Sequence, residues 1–157
     1  LFTAVAEAIP ANRVLYPGSF VDIAPSFVFG DVTYVDIDRR AAKFFRDAET
    51  VDAIIAEHRT DEATWRFIAA DYRTDLGLDD DSFDLLVSLY AGPVSDACGH
   101  LVRPGGRVLA NPSHGDVALL ALDEKTSMLE EAGRTEAAIA AAVSRRVTAP
   151  PRTLGFA

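Results

Sequence analysis

The sequence predicts an open, mostly parallel α/β sheet flanked by helices, in one domain spanning residues 1–157. Two observations carry this. Five short apolar or β-branched runs alternate with helical segments. One of them, "DLLVSLY", is almost continuously apolar, as a strand covered on both faces requires.

Taken in order, residues 3–9 read as the end of a helix stopped by Pro10. Arg13–Tyr16 is a short apolar strand running into a tight loop around Gly18. "DIAPSFVF" follows, with Pro25 tolerable in the first turn of a helix. Val32–Val35 is the second strand, and the link to it is about the dozen residues that a parallel crossover needs. Asp38 is placed to cap a helix over 39–47, and Thr50 a second over 51–59. "TWRFIAAD" is the third strand, "DLGLDDDSF" an acidic turn and "DLLVSLY" the fourth strand. "VSDACGHL" has room only for a short helix before the turn "RPGG" and the fifth strand, "RVLAN". The core is thus expected over 13–116. Residues 117–157 read as a helical tail, with 116–147 alanine-rich and "TAPPR" a linker. Only "RTLGFA" offers a sixth, edge strand.

Composition narrows the function classes. Apolar residues make up 49% of the chain and charged residues 25%, ordinary values for a globular protein. The formal charge is −9 and there are two lysines, Lys43 and Lys125, which disfavours a phosphate-tracking surface and so nucleic acid as a partner. Apolar runs are too short to span a bilayer, so no membrane association is expected. The first residues lack a basic segment before the apolar part, and no signal peptide is expected. The sequence begins without methionine, so preceding residues are expected. Cys98 is the single cysteine, which leaves no disulfide framework and points to a reducing, cytoplasmic setting. No two histidines have helical ligand spacing, so no metal site is expected.

In an open parallel sheet, ligands sit beyond the carboxyl ends of the strands, where the strand order reverses. Those ends are Tyr16–Ser19, Asp36–Asp38, Asp71–Tyr72 and Ser88–Gly92. They mix polar groups with apolar or aromatic ones, as a nucleoside site does. Asp36 is the leading candidate. It lies 18 residues after Gly18, and its two oxygens match the paired hydroxyls of a ribose. The competing role is a strand end or a helix cap, for which Asp38 is better placed.

Two blocks, "LGLDDDSFDLLVS" and "HLVRPGGRVLAN", in order behind a strand ending in Val35-Asp36, resemble class I S-adenosylmethionine-dependent methyltransferases over residues 13–116. The resemblance implies S-adenosylmethionine as cofactor, with Asp36 on the ribose and Ile37 against the adenine. It implies Asp71 on the adenine amino group, Tyr72 lining the base, and Tyr16, Gly18, Ser19 and Ser88 around the rest of the donor. Turn formation by Asp71 and a surface position for Tyr72 are the competing readings. Tyr16, Pro17 and Phe20 stand where the family places an acid and further glycines, and G-x-G-x-x-G is absent, which disfavours NAD.

Tyr90, just past the fourth strand, and His114, beside Asp116, are the candidate catalytic residues. Each has a plainer role available, packing for Tyr90 and a backbone hydrogen bond for His114. The short connection from Asp84 to Pro104 favours a small-molecule acceptor. The family's terminal antiparallel hairpin is not expected in 117–157, so the fifth strand would be a bare edge and a homodimer is possible. Two function classes follow: a methyltransferase, or a non-catalytic binding or interaction domain on the same fold. A nucleotide-dependent oxidoreductase is a weaker third.

Overall fold

The computed structural model describes residues 1–111 together with two short strands at 127–129 and 144–146. Its elements are α1 (Phe2–Ala8), β1 (Arg13–Pro17), a 3-10 turn (Ala24–Phe27), β2 (Asp31–Val35), α2 (Arg39–Arg46), α3 (Ala48–His58), β3 (Thr64–Ile68), β4 (Phe83–Ser88), α4 (Val94–Cys98), a second 3-10 turn (Gly99–Leu101), β5 (Val102–Ala110), β6 (Ser127–Leu129) and β7 (Ser144–Arg146).

The first five strands form one parallel sheet in the order β3-β2-β1-β4-β5. β1 therefore pairs with β2 on one side and β4 on the other, Tyr16 opposite Tyr34 and Leu15 opposite Leu86. This is where the chain order reverses, so the carboxyl ends of β1, β2 and β4 flank the switch point.

Side-chain alternation splits the core into two layers. One face packs Val14, Tyr16, Val32, Tyr34, Leu85, Val87 and Leu109 against α1, α2 and α3. The other packs Leu15, Val35, Leu86, Val108 and Ala110 against α4. Fully buried side chains such as Leu15, Phe29 and Leu109 each contribute about 1.5–3 kcal/mol through removal from water. Tyr34 is buried too, and its polar end is matched. Its hydroxyl lies 2.6 Å from Ser26 Oγ and donates to the Ile23 carbonyl at 3.2 Å, which fixes the 3-10 turn to the sheet.

The helix caps differ in one place from expectation. Asp38 caps α2 as predicted, accepting from the Arg40 amide at 2.7 Å. For α3 the cap is Asp47, and Thr50 sits inside the first turn, donating to Asp47 through both its amide (3.2 Å) and its hydroxyl (2.8 Å). A carboxylate accepts two such bonds at once, and so outcompetes a threonine three residues later.

"RPGG" behaves as a turn although it lies within the span of β5. The register jumps from Phe83 opposite Val102 to Leu85 opposite Arg107, so Arg103–Gly106 loop out. Two expectations are corrected at the described residues of the tail: Ser127–Leu129 and Ser144–Arg146 pair as antiparallel strands, where helix was expected and where no terminal antiparallel strand pair was. Helix propensity is a weak prior that tertiary pairing overrides. The expected edge strand "RTLGFA" lies outside the described residues, as does His114. Among the described residues, no helix is long and apolar enough to cross a membrane, and no group of side chains forms a metal cluster.

Candidate site at the carboxyl edge of the sheet

Four loops meet at the switch point, and hydrogen bonds tie each to another. The loop after β1 is held by the loop after β2. The Phe20 amide donates to Asp36 Oδ2 at 2.7 Å, while Asp36 Oδ1 accepts from the Asp38 amide, also at 2.7 Å. Gly18 donates to the Val35 carbonyl at 2.7 Å, which closes the same junction. Phe20 is 40% exposed and adopts a left-handed backbone (φ 49), with the Arg40 guanidinium 4.9 Å from its ring centre.

The loop after β4 presses on the β1 loop. A Cβ built on Gly18 would stand 2.2 Å from Ala91 Cβ, and Gly18 itself has φ 69. Glycine is therefore required here by the chain's own packing. From the β3 side, the Tyr72 hydroxyl donates to the Ala91 carbonyl at 2.7 Å. From the β5 side, Asn111 is buried and its Oδ1 accepts from the Tyr90 amide at 3.5 Å. Tyr90 is held at φ 62 with its side chain 74% exposed. Bulky residues in this region cost about 1–3 kcal/mol each, and such strain collects at functional sites.

Tyr16 is not a surface residue. Its ring lies in the core beside Phe2 and Tyr34, with centroids 6.2 and 6.3 Å away, and its hydroxyl donates to Asp22 Oδ2 at 3.2 Å. Burial first, then the Asp22 carboxylate, and further out Tyr34 and Tyr90, push the phenol well above its ordinary value. Asp22 Oδ1 accepts from the Ala24 amide at 3.0 Å, so Asp22 opens the 3-10 turn. The Asp22 amide in turn donates to the Ser19 carbonyl at 3.0 Å. Ser19 is 2% exposed, and its hydroxyl has no hydrogen-bond partner among the described residues.

Charge is distributed unevenly. Asp22, Asp31, Asp36, Asp38, Asp71 and Asp84 are the half-buried aspartates of the described residues. Arg13, Arg40, Arg73 and Arg103 pair with Asp31, Asp38, Asp71 and Asp84 respectively. Asp22 and Asp36 have no such cation among the described residues, and both stand at the switch point.

Solved structures share this architecture at low sequence identity. The chain is similar to a SAM-dependent methyltransferase from Methanosarcina mazei, with a TM-score of 0.58 and 14% identity over 84% of this chain and 73% of that one. It is similar to a SAM-dependent methyltransferase from Aquifex aeolicus, with a TM-score of 0.51 and 11% identity over 68% and 61%. The fold is that of the class I S-adenosylmethionine-dependent methyltransferases. The [4+2]-cyclase SpnF resembles the chain to the same degree (TM-score 0.51, 15% identity, 68% of this chain and 42% of that one). The chain spans between about a third and two thirds of the length of several of the solved structures that it resembles. No protein-family model and no curated protein matches the sequence.

Within the methyltransferase fold, the expected site residues separate into two groups. Asp36 and Ile37 reach the open edge, the latter 73% exposed. Gly18, Ser19, Tyr72, Ser88 and Tyr90 gather at the β1–β4 junction, with Ser88 and Ser19 buried. Asp71 lies in the loop after β3. It forms the Asx turn of the competing reading, accepting from the Arg73 amide at 3.0 Å, and the Arg73 guanidinium holds its carboxyl down to about 2. Tyr72 is half-buried and acts as a tie to Ala91. Of the histidines, His58 is exposed but stacks on Phe27 at 4.1 Å, and His100 is exposed beside Asp80. Sequence reasoning missed Asp22. The available signal was an aspartate placed to open the turn that Pro25 begins.

Proposed function

We propose that the chain is an S-adenosylmethionine-dependent methyltransferase that acts on a small-molecule acceptor. The observation that carries this reading is Asp36. It is a half-buried carboxylate without a cation among the described residues, at the switch point, beside an exposed apolar residue. Each of its oxygens receives one backbone donor, and a carboxylate offers about four lone-pair sites, so acceptor capacity remains for two ribose hydroxyls. Those backbone bonds also fix its position before a ligand arrives, which lowers the ordering cost of binding.

The donor would supply an electrophilic methyl group on a sulfonium. Asp36 would hold the ribose and Ile37 would offer an apolar wall to the adenine. Asp71, kept ionised by Arg73, would accept from the adenine amino group. The Ser19 hydroxyl, buried and without a partner among the described residues, fits a polar group of the donor above the β1 loop, because a buried hydroxyl left unsatisfied costs about 1–3 kcal/mol. Tyr90 would line the acceptor side. Positioning and exclusion of water account for the chemistry, with no general base required.

One observation favours the second reading, a binding or interaction domain with an altered cofactor site. Ala91 occupies the approach to Gly18 that a donor would otherwise use. Titration with S-adenosylhomocysteine separates the two readings. Micromolar binding supports the enzyme, and no binding supports the interaction domain.

A further inference from the structure

The helix that follows the candidate site carries charges that the fold does not use. Among the described residues, Arg13, Arg40, Arg59, Arg73 and Arg103 each pair with an aspartate, whereas Arg39, Lys43 and Arg46 of α2 pair with none. All three are exposed. Their spacing, i, i+4 and i+7, puts them on one face of the helix. Ala41 and Phe45 are buried on the opposite face and hold that orientation. At about 1.5 Å of rise per residue, the cationic stripe runs roughly 10 Å.

Helix stability does not ask for this arrangement. The helix dipole suits Lys43 and Arg46 in the last turn but opposes Arg39 in the first. Like charges three and four residues apart repel, and α2 contains no acid to relieve them. Solubility does not ask for it either, in a chain that already carries a formal charge of −9.

The stripe is also short and bounded by acids. Asp36 and Asp38 precede it, and the exposed Asp47 and Glu49 follow it. A continuous polyanion, whether a membrane surface or a nucleic acid, would bring its phosphates against those four carboxylates as well. A short acidic helix avoids them, because carboxylates at i, i+4 and i+7 repeat the spacing of the three cations and end where they end. A second copy of this chain is opposed by the mutual repulsion of two charges of −9.

We infer that the outer face of α2 is a docking surface for a short acidic helix of a partner protein, with Arg39, Lys43 and Arg46 as its contacts. Arg39 directly follows Asp38 at the carboxyl edge of the sheet, so the docked helix comes up beside the candidate site. The surface does not depend on the proposed methyl transfer.

Fluorescence anisotropy tests it with a labelled, alanine-based helical peptide carrying glutamates at i, i+4 and i+7. The salt is set to about 0.15 M, where charges beyond roughly 8 Å are screened. Wild type should bind this peptide saturably and bind its glutamine counterpart about ten-fold more weakly or worse. The variant Arg39→Gln/Lys43→Gln/Arg46→Gln should lose a similar factor for the glutamate peptide at an unchanged melting temperature. Arg39→Lys/Arg46→Lys, which keeps the charge, should bind as wild type does. The surface is overturned if wild type fails to bind the glutamate peptide, if it binds both peptides equally, or if the glutamine variant binds as wild type does. Phosphatidylserine vesicles, duplex DNA and sedimentation of the free chain cover the other occupants. Tighter stripe-dependent binding to either polyanion, or self-association that the glutamine variant abolishes, would overturn the acidic helix as the occupant. S-adenosylhomocysteine titration should give the same result for wild type and the glutamine variant, so the methyl-transfer reading and the docking surface fail separately.

Discussion

Asp36 Oδ2 accepts the Phe20 amide at 2.7 Å, so the carboxylate at the end of β2 sets the shape of the loop after β1. Binding and loop order are coupled through this one bond. Replacing Asp36 with alanine removes the ribose acceptor and releases the loop together. The expected loss is about 2 kcal/mol, roughly thirty-fold in affinity for S-adenosylhomocysteine. Calorimetry of the variant measures it, and unchanged affinity would remove Asp36 from the site.

Gly18 and Ala91 form a mutual close approach, and Gly18→Ala tests it without any ligand. The added methyl overpacks the junction and imposes a left-handed backbone on a non-glycine residue. Together these cost about 2–4 kcal/mol. Urea unfolding should show the midpoint falling with the slope unchanged. Adding Ala91→Gly removes the overpacking and should recover part of the loss, leaving the backbone share. Equal midpoints for the single and double variants would mean that Ala91 is not the obstacle.

Tyr72→Phe deletes the bond to the Ala91 carbonyl and leaves the ring in place. The expected cost is about 1 kcal/mol, expressed locally. Amide exchange at residues 89–92 should accelerate while exchange in β1 and β4 stays slow. Uniform acceleration throughout the sheet would show that the bond supports the whole fold and not this loop.

Asp84 gives the acid dependence a sign. It accepts from the Asn12 and Arg13 amides, each at 2.8 Å, and pairs with Arg103, and these partners outweigh its burial and lower its pKa. A carboxylate depressed in the folded state contributes stability that is complete above its unfolded value, near 3.9, and is lost as pH falls through the folded one. Stability should therefore fall as pH drops below about 4. Asp84→Asn should be less stable at neutral pH and flatter over that acid range, as read from urea midpoints at stepped pH. Parallel curves for the two proteins would assign the acid dependence to other groups.

The sheet was legible because its signals are local. Periodicity, Pro25 and the Pro-Gly-Gly turn each act within a few residues, and the strand that ends in Val35-Asp36 announces the switch point. The position of Asp36 directly after β2 was legible for the same reason. Gly18 was read as the centre of a tight loop, but the packing that requires glycine there comes from Ala91, 73 residues away, and no local pattern connects them. Asp22 was missed because its significance is relational. Only the folded chain shows Tyr16 donating to it and an arginine beside each of the other half-buried aspartates away from Asp36. At Ser127–Leu129 and Ser144–Arg146 the helical reading failed differently: local propensity read helix, and antiparallel pairing between residues far apart in sequence decides these two segments.

The central claim is that this edge binds an adenosyl methyl donor, and one titration meets it directly: purified chain against S-adenosylhomocysteine, with NAD as control. The account predicts saturable micromolar binding of the first and none of the second. Heats indistinguishable from dilution for S-adenosylhomocysteine would contradict it and leave the methyltransferase fold serving another purpose.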